Sequence, residues 1–230
     1  MIRPTTLALY EEQLLLALDD RKGTSALGCM HAHAMGGAIL AELVLLGAVR
    51  IGQDKKKLVD AVPDAHVDDT LLAECLGLIT AAKRRRKAVD WVQKFSGLKD
   101  LKNRAARGLV LKGVLAEERD RVLGIFPRVV FPERNPGPER ALIERLRQAV
   151  QSDSDRVDDR TLVTVAIAKA AGLLERAVDK KVLKARKARV KQLAEGQAAG
   201  AATAEAIQAV QAAVMVATMA ATTAATAATH

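Results

Sequence analysis

Arg104 to Phe131 reads RAARGLVLKGVLAEERDRVLGIFPRVVF. Its opening residues complete a helical pattern that starts at Leu98 and runs to Lys112, and Gly113 supplies the C-terminal stop. The periodicity then changes. Val114-Leu115, a tip around Val122-Leu123-Gly124-Ile125-Phe126 and a return through Val129-Val130-Phe131 predict a hairpin, followed by a turn-rich Pro132 to Pro138. A helix feeding a hairpin, in a chain that is otherwise helical by pattern, sets the expected fold class: mainly α, a compact helical bundle with one or two short β-hairpins, one of them projecting.

On the N-terminal side, Leu7 to Leu18 carries apolar residues on a helical period, with Thr5 and Thr6 as caps and Asp19-Asp20-Arg21-Lys22-Gly23 as the stop. Leu27 to Leu46 predicts a second helix closing at Gly47. Ala48 to Ile51 and Leu58 to Val62 flank Gly52 to Lys57 and predict a short hairpin with a basic tip. Helix returns from Asp69 to Ala82, and the cations of Lys83 to Lys87 suit the negative end of its dipole. Val89, Trp91, Val92 and Phe95 belong to a further helix ending at Ser96-Gly97. Beyond Phe131, helices are predicted over Glu139 to Val150, Asp159 to Val178 and Lys180 to Leu193.

Half of the 230 residues are hydrophobic but only 2% are aromatic, so the core must be built from Leu, Val, Ile and Ala, which favours packed helices. The formal net charge of +9 favours an acidic partner, and nucleic acid and an anionic membrane surface both qualify. Cys29 and Cys75 form no disulfide framework, so a reducing cytosol is the default expectation. The start, Met1 to Thr5, has no apolar targeting segment. No charged side chain follows Glu205 through Thr229, yet the Ala, Thr and Gln content is too polar for a spanning helix.

Several constellations invite a chemical reading, each beside a plainer one. Lys99 with Lys102, and Arg104 with Arg107, are i,i+3 pairs that can each converge on one anionic group, or can simply be solvated. Lys180, Lys184, Lys187 and Lys191 follow i, i+4, i+7, i+11 and make one stripe on a continuous helix, either a solvated face or one turned to polyanion. Val122, Leu123, Ile125 and Phe126 sit between Arg119, Arg121 and Arg128, which suits shallow insertion at a headgroup layer or packing against another surface. On a helix Cys29 and His33 share a face but His31 does not, so no metal site is expected. Glu11-Glu12 and Asp19-Asp20 read as cap chemistry. No phosphate loop, nucleophile elbow or HExxH is present, so the expectation is a protein that is not an enzyme and needs no cofactor.

Three blocks in order, LALYEEQLLLALDDRKG at Leu7 to Gly23 with GAILAELVLLGAV at Gly37 to Val49, RAARGLVLKGVLAEE at Arg104 to Glu118, and DDRTLVTVAIAKAAGLLERAV at Asp158 to Val178, resemble the Golgi phosphoprotein 3 family of phosphatidylinositol 4-phosphate effectors. The resemblance implies a helical bundle, a projecting hairpin that enters the bilayer or mediates self-association, and a cationic headgroup pocket beside it. The family's pair of pocket arginines falls on Lys99 and Lys102, with Arg104 close behind. Leu27 stands where the family has a pocket tryptophan and Gly36 where it has another arginine, which implies looser anionic-lipid recognition. The short start and the altered pocket look more like the family's bacterial branch.

The resulting expectation is a lipid-binding domain over 1–195 with its hairpin at 114–131, a C-terminal helix over 196–219 on the same body, and a low-complexity tail over 220–230. It is expected in the cytoplasm, peripheral on the cytosolic face of a membrane, with anionic phospholipid as partner and a homo-oligomer through the hairpin as an alternative. A second alternative is a winged nucleic-acid module using Leu27 to Leu46, whose Ala, Gly and Leu offer little to read base edges, so no nucleic acid is expected.

Overall fold

The computed structural model describes residues 6–18, 30–52, 55–122 and 126–197, together with 199, 204, 207, 208, 210–212, 214 and 215. Helices α1 (Leu9–Ala17) and α2 (Met30–Leu45) form the centre. Every residue of α1 is buried, including Glu11, Glu12 and Gln13, and α2 is buried from Ala34 to Leu43. Helices apolar on nearly all sides belong in the interior, where neighbours cover each face. The buried stretch of α2 from Ala34 to Leu43 has no surface to offer a nucleic-acid groove.

Strands β1 (Val49–Ile51) and β2 (Leu58–Ala61) are the first hairpin, paired antiparallel with Val49 opposite Ala61. Helix α3 (Thr70–Thr80) follows, and then the chain departs from the expected helix-terminal basic run. Arg86–Lys87 form a third strand, β3, antiparallel to β2 with Val59 opposite Arg86. The Arg85 guanidinium grips the Asp60 carboxylate and draws this segment onto the sheet. Helix α4 (Ala88–Ser96) buries Ala88, Trp91, Val92 and Phe95, one face at helical spacing, and crosses α2 closely. Trp91 and Phe95 stack with centroids 5.6 Å apart, and Arg86 and Lys94 lie over the indole.

Helix α5 (Leu101–Leu111) ends at Gly113, whose φ of 72° is the left-handed conformation a C-terminal stop requires. Strands β4 (Glu118–Val122) and β5 (Phe126–Val130) then pair antiparallel from Glu118 opposite Val130 to Val122 opposite Phe126. Successive strand residues face opposite sides, and Arg128 and Val129 are both exposed. The hairpin therefore stands off the core with solvent on both faces, anchored by buried Val130 and Phe131.

Helix α6 (Gly137–Gln151) precedes α7 (Asp159–Ala170), α8 (Leu174–Ala177), α9 (Lys180–Ala185) and α10 (Lys187–Ala194). Two long helices expected from periodicity are thus each divided. Gly172, at φ 70°, separates α7 from α8. Arg186 separates α9 from α10 because its guanidinium turns back onto the end of α6, donating to the carbonyls of Val150, Gln151 and Ser152 and pairing with Asp153. Buried Arg189 does the same for Ala149 and Ser154. Together they satisfy carbonyls that the helix end leaves without partners. Ile207, Val210 and Val214, in helical backbone, are buried, and Val214 touches α2 at Gly37.

Asp69 links α3 to the centre. Its carboxylate caps the helix by accepting from Leu71 N and Leu72 N, both at 2.9 Å, and also accepts from Tyr10 Oη at 2.7 Å. Burial, and then this bond, drive the Tyr10 hydroxyl pKa far above its ordinary value. Asp69→Ala removes a cap worth about 1 kcal/mol and strands a buried hydroxyl at a further cost of about 1 kcal/mol. A thermal melt should show the combined loss, and Asp69→Asn should recover the cap part.

Candidate functional site: a cationic corner beside the hairpin

The turn between α4 and α5 presents Lys99, exposed, and the first turn of α5 presents Lys102, half-buried. Neither forms an ion pair with a described residue. Burial, and then the nearby Arg128 guanidinium, push the Lys102 ammonium below its usual pKa. Lys102 in turn acts, after burial, to lower the pKa of His31 in the first turn of α2. Three elements, α2, α5 and β5, therefore bring the His31 imidazole, the Lys102 ammonium and the Arg128 guanidinium to one corner, Arg128 being itself paired with Asp120 across the hairpin. An ammonium held partly out of water is stabilised by a bound anion.

The other two expected contributors are spent within the fold. Arg104 points away from Lys102, two residues and about 200° round the helix, and its guanidinium pairs with Glu74 of α3. That hydrogen bond holds its pKa up. Arg107 bridges Glu117 and Asp100, each at 3.3 Å. The pair Arg104 and Arg107 does not converge on a common point, and Glu74, 30 residues before Arg104, could not be assigned from spacing.

Of the insertion residues, Val122 and Phe126 face each other in the hairpin register, while Leu123 and Ile125 lie outside the described residues. Leu27 and Cys29 also lie outside them. Gly36 packs where α2 crosses α4: a Cβ there would meet Val92 O at 2.6 Å and Ser96 N at 2.9 Å. No side chain, and so no pocket arginine, fits at that position. The Lys180 stripe is broken at Arg186. Its four lysines are exposed, but Lys180 pairs with Glu175 at 3.0 Å and Lys191 lies 3.8 Å from Glu195. Among the described residues no group of three metal-ligating side chains is arranged to hold an ion, and no helix is long and apolar enough to cross a membrane.

Sequence reading missed Glu12, Glu42 and Arg160. Glu12 accepts from Arg145 at 2.7 Å, Arg160 at 3.1 Å and Thr164 at 2.9 Å, and Arg160 also reaches Glu42 at 2.8 Å. This network holds α1, α2, α6 and α7 together, with the Arg145 Nε left buried without a partner among the described residues. Only the placing of acids inside an otherwise apolar helix hinted at it.

The chain is 32% identical over 136 residues to vacuolar protein sorting-associated protein 74 of Eremothecium gossypii, a match that covers 50% of this chain and 41% of that relative. The family model for Golgi phosphoprotein 3 (GPP34) matches residues 9–210, taking in the central helices, the cationic corner, the hairpin and α10. This protein belongs to the Golgi phosphoprotein 3 family.

Proposed function

We propose that this chain is a non-enzymatic, peripheral membrane protein that binds anionic phospholipid, phosphatidylinositol 4-phosphate by family resemblance. Lys99 and Lys102 hold the headgroup phosphate, with Arg128 and His31 beside them. Arg104 and Arg107, tied to Glu74 and to Asp100 and Glu117, brace α5 from behind. The hairpin residues Val122, Leu123, Ile125 and Phe126 enter the headgroup layer, where full burial of one such side chain contributes about 1.5–3 kcal/mol. Residues 1–195 are the lipid-binding unit, 196–219 a helix on the same body and 220–230 a tail. Its setting in this reading is the cytosolic face of a membrane.

The observation that carries this reading is Lys102: half-buried, without an ion-pair partner among the described residues, and near Arg128 of the hairpin. A basic residue near an anionic leaflet contributes about 1 kcal/mol, so removing two should weaken binding by roughly 30-fold. Liposome co-sedimentation of Lys99→Glu/Lys102→Glu across a phosphoinositide panel should show at least that loss, and wild-type binding should weaken with salt. Binding that ignores lipid charge, or survives the double substitution, overturns the proposal. Phe126→Asp should weaken sedimentation while leaving the mass in light scattering unchanged; a fall in mass would assign the tip to self-association instead.

A further inference from the structure

The break at Arg186 gives the C-terminal lysines a second setting. A groove of about 640 Å³ runs between the end of α7, α8, α9 and α10. Leu174, Leu183 and Val190 make its floor, and Gly172 and Ala188 are small enough to keep it open. Lys169 from α7 and Lys187 and Lys191 from α10 stand around it. The carboxylate at its edge, Glu175, is already paired with Lys180.

We infer that this groove docks a short acidic amphipathic helix of a partner protein, apolar ridge inward and carboxylates on the lysine rim. Lys187 and Lys191 are one helical turn apart, so acids one turn apart on the occupant meet both at once. The floor is recessed, with Leu174 3% and Val190 6% exposed, so a convex ridge of side chains reaches it and a flat leaflet does not. The chain's own last residues, 216–230, contain no Asp or Glu and offer the rim nothing. A second copy, at a formal net charge of +9, meets the lysines with like charge. An amphipathic helix laid in a groove is a recurrent recognition mode, with anchors at i, i+3 or i+4, and i+7.

The test uses the full chain and a fluorescein-labelled synthetic helix with Leu at those anchor positions and Glu flanking them, against a control carrying Lys for Glu. Fluorescence anisotropy should show saturable binding of the acidic peptide alone, weakened by salt. Lys187→Glu/Lys191→Glu, checked for an unchanged melt, should bind about tenfold more weakly. Lys99→Glu/Lys102→Glu, with the same change in net charge at residues that do not line the groove, should bind the peptide as the wild type does. Equal binding of both peptides, equal losses in both double variants, or displacement of the peptide by phosphatidylserine vesicles would each overturn the proposal, the last by assigning the groove to lipid.

Discussion

Glu12→Ala is expected to lower the unfolding free energy by about 3–5 kcal/mol, the cost of breaking a buried ion pair from one side. Glu12 is 3% exposed and is the shared acceptor for Arg145, Arg160 and Thr164, which arrive from α6 and α7. Removing it leaves two guanidinium groups facing each other, with Glu42 the remaining carboxylate on Arg160. Arg160 cannot escape cheaply: it also donates to the Leu7 carbonyl, and its side chain is only 24% exposed. Urea denaturation should show a lower midpoint with an unchanged slope. Arg145→Met in the same background should recover part of the loss, because it withdraws the guanidinium whose carboxylate has been removed. A loss under about 1 kcal/mol would mean that water screens the site as it screens surface pairs.

Glu12 also shows where sequence reading stops. Read as cap chemistry, the adjacent acids divide in the structure. Glu11 does cap, accepting from Ala8 N at 2.7 Å, while Glu12 faces partners 133 to 152 residues away. Local pattern carries local facts: the buried face of α4 and the presence of a hairpin within Val114 to Phe131 were legible because spacing and turn residues encode them, although the outgoing strand pairs from Glu118 rather than at Val114-Leu115. The division at Arg186 was not, because apolar periodicity continues across it and carbonyls about 34 to 36 residues upstream decide it. Strand β3 was hidden likewise. Lys83 to Lys87 has no strand propensity, and the edge of β2 recruits its end. At the cationic corner, spacing could find Lys99 and Lys102. It could not tell them from Arg104 and Arg107, because charge availability depends on carboxylates placed by other elements.

The same limit governs Gly36. Gly36→Arg, which reinstates the arginine that the resemblance sets there, is expected to cost at least about 3 kcal/mol, the upper range for overfilling a packed interior. It should add nothing to lipid affinity. The obstacle is backbone, Val92 O at 2.6 Å and Ser96 N at 2.9 Å from any Cβ, so relief requires α2 and α4 to separate. At neighbouring Gly37 the nearest obstacle is a methyl of Val214, which a rotamer change can move, so Gly37→Ala should be milder. Gly77, on the exposed face of α3, has nothing within 4 Å, and Gly77→Ala should instead stabilise by roughly 0.5–1 kcal/mol through helix propensity. A loss of 3 kcal/mol corresponds to a drop of about 6–12 °C in Tm for a chain of this size, so a thermal melt orders the three variants. If Gly36→Arg melted with the wild type and sedimented more strongly with phosphatidylinositol 4-phosphate vesicles, α2 would have to turn at its crossing with α4. The corner would then be a movable site, whereas close packing at Gly36 predicts a rigid one in which, under the proposed function, Lys99 and Lys102 take the anion without help from α2's glycine face.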